Sequence, residues 1–183
     1  MKEGSLKKKK IAVMMGGLSR EREISLKTGK AILRALTEKG YHAISIDVGP
    51  DIAEVLLEDN IECVFLALEG RFGEDGTVQG MLELMRIPYT GSGVLASALA
   101  LHKIMAKKVF LCENIPTPPF EVLGRIEVGK NSLRTSSLSL PVVVKPAREG
   151  STIGVSIVKR DEDFLPALKE AGKYDEEILV EKF

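Results

Sequence analysis

Hydrophobic positions along the chain alternate between continuous runs of strand length and stripes at helical spacing. Ile11 to Met15 is an unbroken apolar run that ends at Gly16-Gly17, a strand followed by a turn. Beyond the turn, Leu26, Gly29, Leu33 and Leu36 recur at helical spacing, with Ala31, Ile32 and Ala35 widening the stripe and Gly40 placed as its C-terminal stop. Ala43 to Val48 reads as a second strand and Cys63 to Leu68 as a third, with a short helix over Ile52 to Leu57 between them. Thr77 to Met85 predicts another helix that ends before Ile87-Pro88. Leu101, Ile104, Met105, Val109 and Cys112 form one further helical stripe.

Strands that are apolar on both faces and alternate with helices predict a parallel sheet covered on both sides, so residues 10–90 read as a Rossmann-like α/β unit. In such a sheet ligands gather at the C-terminal strand ends, where residues 16–22, 69–76 and 89–93 are polar. Ile115-Pro116-Thr117-Pro118-Pro119 is the clearest linker, and it divides the chain into residues 1–116 and 117–183. In the second part, Phe120 to Leu123, Pro141 to Lys145, Val155 to Lys159 and Ile178 to Phe183 read as strands. Residues 126–140 are polar and poorly periodic, and Asp163 is placed to cap a helix with Pro166 in its first turn. The second part is thus α+β.

Composition narrows the function classes. With 44% hydrophobic and 28% charged residues the chain reads as globular. Lys+Arg and Asp+Glu both number 26, which argues against a general nucleic-acid surface. The basic run Lys7 to Lys10 reads as a solvated tail. Cys63 and Cys112 sit in apolar patterns outside any CxxC and are expected as buried free thiols of a reducing compartment. No apolar stretch approaches the ~18–20 residues of a membrane span, and the N-terminus lacks the order of a signal peptide, so no membrane association and a cytoplasmic location are expected.

Several segments have chemistry of their own. Arg148-Glu149-Gly150-Ser151-Thr152-Ile153-Gly154 joins two strands, and its glycines and hydroxyls permit a tight loop whose N–H groups face a phosphate; a plain hairpin turn is the alternative. It is not a Walker loop, since no GK[ST] follows. Lys145 ends an apolar strand, where it must reach solvent or meet an anion. Lys103 falls off the apolar stripe of its helix and reads alone as a surface lysine. Glu21 lies at the start of the first helix, where a carboxylate suits the free N–H groups or, alternatively, a substrate ammonium. Glu181-Lys182-Phe183 ends the last strand.

Taken together, these segments resemble the D-alanine–D-alanine ligases of the ATP-grasp superfamily. The resemblance is carried by GGLSREREIS (16–25), GRFGEDG (70–76), QGMLE (79–83), PYTGSG (88–93), Lys103, Val144-Lys145-Pro146 and Arg148-Glu149-Gly150-Ser151, in family order and over nearly the whole chain after the first nine or so residues. It implies a Rossmann-like domain over 1–116 and the central ATP-grasp subdomain over 117–183. It further implies that Lys103 and Lys145 contact ATP phosphates and that Glu149, Gly150, Ser151, Thr152 and Gly154 belong to the loop that folds over them. Glu181, Lys182 and Phe183 match the start of the adenine hinge. Glu21, Ile24 and Glu69 match positions at the first D-alanine, and Ser151 matches a hydroxyl that links Glu21 to a tyrosine of a mobile loop.

The implied activity is ATP-dependent formation of D-alanyl-D-alanine for peptidoglycan through an acyl phosphate, with ATP and magnesium as cofactors and a homodimer through the N-terminal domain. A D-alanine–D-lactate-type or other ATP-grasp ligase, and a non-catalytic folded fragment, are the alternatives. Glu69 departs from the family, which usually has histidine there. Family chains also continue beyond Phe183, so the magnesium ligands are expected outside this sequence and the isolated chain is expected to be inactive.

Overall fold

The computed structural model describes residues 6–124 and 136–183 and divides into two compact units, Met1–Ala98 and Leu99–Phe183. In the first unit, β1 (Ile11–Met15), β2 (Ala43–Asp47) and β3 (Cys63–Leu66) form a parallel sheet in the order β2-β1-β3, and a parallel bridge from Val64 to Tyr89 extends its β3 side. The central strand is buried at all five positions, as an apolar run with no polar face requires. Its alternate residues feed two cores. Ala12 and Met14 pack with Ile46, Leu56, Val64 and Leu82, beneath α2 (Ile52–Glu58) and α3 (Thr77–Leu84). Val13 and Met15 pack with Leu26, Ile32, Leu33 and Leu36 of α1 (Arg22–Glu38). Contact between α1 and β1 is so close that a Cβ on Gly29 would stand 2.5 Å from Met15 Cβ. β2 departs from the expected two-sided burial: only Ile46 is fully buried, because this strand has a neighbour on one side alone among the described residues.

The helical stripe expected from Leu101 to Cys112 is in fact two helices. α4 (Val94–Leu101) and α5 (Lys103–Cys112) are separated by His102, whose φ of −82° and ψ of 86° are not helical. α4 has no sequence counterpart in the periodic reading, because VLASALAL is apolar or small all round and shows no stripe.

In the second unit β4 (Phe120–Gly124), β5 (Val142–Pro146), β6 (Ser156–Val158) and β7 (Glu177–Lys182) form an antiparallel sheet in the order β4-β7-β5-β6. One face is covered by α6 (Phe164–Ala171), whose Phe164, Ala167, Leu168 and Ala171 pack on Val142, Val144, Val158, Ile178 and Val180. The other face carries Ile104 of α5 against Ala147, Leu179 and Phe120. That packing places α5 in the second unit, whereas the proline cluster divides the sequence after it, at 116/117. Most of the polar segment 126–140 lies outside the described residues. Asp163 stands at the N-terminus of α6 without a side-chain capping bond; its carboxylate accepts from Arg160 instead, at 2.9 and 3.0 Å. The cysteines are both free, but Cys63 is only half-buried and Cys112 is exposed, as is every residue of α5 after Lys107.

Candidate nucleotide and amino-acid sites

The second unit builds one site from strand alternation. On β7, Ile178 and Val180 point to α6, so Leu179 and Glu181 point to the face that carries α5. On β5, Val142 and Val144 likewise face α6, which leaves Lys145 on the α5 side. The register pairs Val143 with Glu181 and Lys145 with Leu179, so Lys145 and Glu181 are diagonal neighbours on one face. Their side chains meet, Lys145 Nζ donating to Glu181 Oε1. The sequence alternatives for Lys145 were solvent or an anion, and in the folded chain it has an anion.

α5 brings two more ammonium groups to that face. Lys103 and Lys107 are one turn apart and flank Ile104, which is buried on the sheet. Lys103 is therefore half-buried rather than a solvated surface lysine, and its Nζ donates to the carbonyl of Glu149 in the glycine loop. The backbone N–H of Lys103 bonds Ala147 O at 3.0 Å, fixing the helix start against the same loop. Lys107 is only 6% exposed; its Nζ donates to Thr117 Oγ1 at 2.7 Å and Glu181 Oε2 at 2.9 Å and stands 5.0 Å from the Phe120 ring centroid. Sequence reasoning missed Lys107. Its i+4 spacing from Lys103 was the available signal.

Electrostatics at this site favour an anion. Burial, and then repulsion from Lys145, push the Lys103 ammonium pKa down, against the pull of Glu149, Asp175 and Glu181. Burial pushes the Glu181 carboxyl up, but the bonds from Lys145 and Lys107 outweigh it and hold that carboxyl below its ordinary value. Asp175 is engaged by Arg148, whose Nη2 donates to its Oδ1 at 2.8 Å. Lys103, Lys107 and Lys145 thus gather around Glu181, and an anion beside Lys103 and Lys145 would relieve the repulsion between that pair.

The loop itself turns tightly. Ile153 N–H donates to Gly150 O at 3.4 Å and Val155 N–H to Thr152 O at 3.2 Å, and Ser151 has a left-handed φ of 50°. Gly154 has φ of 68°, and a Cβ there would stand 2.7 Å from Tyr174 Cδ2, so this position excludes side chains twice over. Beyond Glu181 the last two residues diverge. Lys182 Nζ donates to Ser139 O at 3.0 Å and Leu140 O at 3.2 Å, and Phe183 is 65% exposed.

The first unit gathers the other predicted residues at the C-terminal ends of its strands. Glu21 is the N-cap residue of α1, yet its side chain makes no capping bond. It is 9% exposed, and its Oε2 lies 2.5 Å from where a Cβ of Gly70 would stand. With φ of 68°, Gly70 is the residue that lets the β3 loop pass this carboxylate. Gly70 N–H in turn donates to Glu74 Oε2 at 2.7 Å. Glu69 is thus set between carboxylates: burial first, then Glu74 and Glu21, push its pKa up. It lines a largely apolar cavity of about 190 Å³ with Gly16, Gly17, Leu68, Phe72 and Met81. Ile24, by contrast, is 56% exposed on the first turn of α1. Ser25 stands out in sequence only as a member of the 16–25 motif, yet it is the buried tie of this corner: its Oγ accepts from Gly16 N–H at 2.9 Å and donates to Ala67 O at 2.6 Å.

Among the described residues no group of three or more His, Cys, Asp or Glu is placed to hold a metal ion, and no helix is long and apolar enough to cross a membrane.

A parallel α/β unit followed by an antiparallel sheet with paired lysines beside a glycine loop is the architecture of ATP-grasp ligases. Residues 50–92 match the family described as D-ala D-ala ligase N-terminus and residues 110–183 that described as D-ala D-ala ligase C-terminus. The D-alanine–D-alanine ligase of Geotalea uraniireducens is 56% identical over 178 residues, 97% of this chain and 57% of that protein. Crystal structures of D-alanine–D-alanine ligase from Bacillus anthracis superpose with a TM-score of 0.83 at 35% identity, and of 0.81 at 34% for one complexed with ATP. They match 96% of this chain and 57% and 58% of theirs. The chain belongs to the D-alanine–D-alanine ligase family, and it spans about 57% of the length of the curated relatives it matches.

Proposed function

We propose that this chain carries the nucleotide-binding and first-substrate residues of an enzyme that joins two D-alanines at the expense of ATP. The observation that carries the reading is the convergence of Lys103 and Lys145 beside the 148–154 loop, where Lys103 donates to the Glu149 carbonyl and Lys145 to Glu181. In this reading Lys103 and Lys145 take phosphate oxygens. The Glu149–Gly154 backbone lies over them, with Gly150, Ser151, Thr152 and Gly154 as its contact positions. Glu181, Lys182 and Phe183 read the adenine edge. Glu21 holds the ammonium of the first D-alanine, with Ile24 and Glu69 at the same subsite, and Ser151 supplies the loop hydroxyl of the reaction.

The reaction has two displacements. An oxygen of the first D-alanine carboxylate attacks the γ-phosphorus, the bond to the bridging β–γ oxygen breaks, and ADP leaves. The amine nitrogen of the second D-alanine then attacks the acyl carbon, the carbon–oxygen bond to phosphate breaks, and the amine gives up its proton as phosphate departs. Charge neutralisation and positioning dominate such chemistry. Magnesium would accompany the ATP phosphates; the described residues offer it no ligand set, and no step is assigned to it. Residues 1–116 as the Rossmann-like domain, residues 117–183 as the central ATP-grasp subdomain, a homodimer through the former and a cytoplasmic location complete the proposal.

Calorimetry of the chain with ATP and magnesium is the direct test, and saturable one-to-one binding is expected. Phosphate release that depends on both ATP and D-alanine is the second arm. It is measured on the chain completed with the part of the Geotalea uraniireducens relative left uncovered by the match. No binding in the first arm and no D-alanine dependence in the second would remove the proposal.

A further inference from the structure

The buried ammonium of Lys107 is assigned no part in the nucleotide site above, yet its position defines one. Glu181 has two cationic partners on two different oxygens, Lys145 on Oε1 and Lys107 on Oε2 at 2.9 Å. The two are not equivalent. Lys107 is fixed by Thr117 Oγ1 at 2.7 Å and by the Phe120 ring, and its side chain is 7% exposed. The Lys145 side chain is more accessible, at 20%, and lies on the strand that leads into the glycine loop.

Resting on the nucleotide site proposed above, we infer that Lys107 is a positioning residue. It is the standing counter-ion of Glu181, and it allows Lys145 to pass from Glu181 to a phosphate oxygen without leaving that carboxylate unpaired. A buried carboxylate that loses its only cation must take up a proton or forfeit several kcal/mol. With two cations, Glu181 keeps one when Lys145 is drawn away and stays an ionised acceptor. The charged groups facing Glu181 are Lys103 and Lys107 from α5 and Lys145 from β5, while β4 presents the apolar Phe120.

The test compares wild type, Lys107→Met, Lys107→Gln and Lys107→Arg in the 183-residue chain. Without ligand, a carbon-13 titration of the Glu181 carboxyl is expected to move to higher pH in the Met and Gln variants and to stay near wild type in Arg. With ATP, calorimetry in buffers of different ionisation enthalpy is expected to show extra proton uptake on binding for Met and Gln. Their affinity falls roughly tenfold or more at alkaline pH and recovers as pH falls, and Arg restores the wild-type pattern. The Gln variant keeps a donor toward Thr117 and supplies the reading if the Met variant does not fold. A Glu181 titration unmoved by loss of the Lys107 charge, or ATP binding by the Met and Gln variants with wild-type affinity and proton uptake, overturns the inference. Wild-type chain that fails to bind ATP overturns the nucleotide reading itself, and the ligand-free titration still reports whether Lys107 controls Glu181.

Discussion

The hydroxyl of Ser25 donates to the carbonyl of Ala67 at 2.6 Å, tying the first turn of α1 to the chain leaving β3. The same oxygen accepts from Gly16 N–H, so one buried side chain joins the ends of two adjacent strands to the helix that presents Glu21. Ser25→Ala leaves a buried N–H and a carbonyl without this partner. It is expected to lower stability by about 1–3 kcal/mol in urea unfolding monitored by circular dichroism.

Gly29 tests the contact of α1 with β1. Although Ala favours helices over Gly, the added methyl would stand 2.5 Å from Met15 Cβ. Gly29→Ala is therefore expected to destabilise by about 1–3 kcal/mol through overpacking, against a propensity gain of about 1 kcal/mol at an open site. A more stable variant in thermal melts would show that α1 can move away from β1 at no cost.

Lys103 and Lys145 should each matter to ATP as charged donors. Replacing either by Met is expected to weaken ATP binding about 10–100-fold, the equivalent of about 1.5–3 kcal/mol for a charge-assisted hydrogen bond. Adenosine binding, which offers no phosphate, should change far less. Equal losses for ATP and adenosine, read by calorimetry, would count against phosphate contact.

The Glu69 carboxyl has its folded-state pKa raised by burial, Glu74 and Glu21. Ionising it therefore costs stability. Below the ordinary carboxylate pKa both folded and unfolded chains hold the proton and there is no penalty. The penalty grows as pH climbs from there and is complete above the raised folded value. Glu69→Gln should match wild type in Tm at acid pH and melt higher at neutral pH. The opposite trend would place Glu69 in a stabilising ion pair.

Glu69→His introduces the residue that the resemblance implies at this position. In the completed enzyme this variant is expected to keep D-alanine-dependent phosphate release. A dead but folded variant would mean that the carboxylate itself is required here.

Much of this was legible from residue order. The strand runs 11–15 and 141–145, the latter found at 142–146, and the stripe of α1 needed only periodicity, because each element buries one well-defined set of side chains. The motif series singles out Glu21 and the 148–154 loop, which the fold sets beside Gly70 in the first unit and beside Lys103 in the second. Periodicity failed where a helix has no polar face, as in α4, and where a charged residue is buried through pairing. Lys103 reads as solvent-facing and Lys107 draws no reading at all, because sequence patterns assume lysine seeks water, whereas a carboxylate from a strand 74 residues further on holds Lys107 inside. The linker at 115–119 was plain in sequence, but the packing of Ile104 on Leu179, which groups α5 with the sheet, is a long-range contact that no local pattern reveals.

β7 couples correct folding to the ion cluster around Glu181. Its even-numbered residues Ile178 and Val180 fill the α6 core, while Glu181, one step along, meets the lysines. Slippage of this strand by a single residue would bury the carboxylate in hydrocarbon and present valine to the ammonium groups. A misaligned chain therefore cannot bring Glu181 to Lys107 and Lys145 at all, so that ion cluster is itself an alignment check on its central sheet.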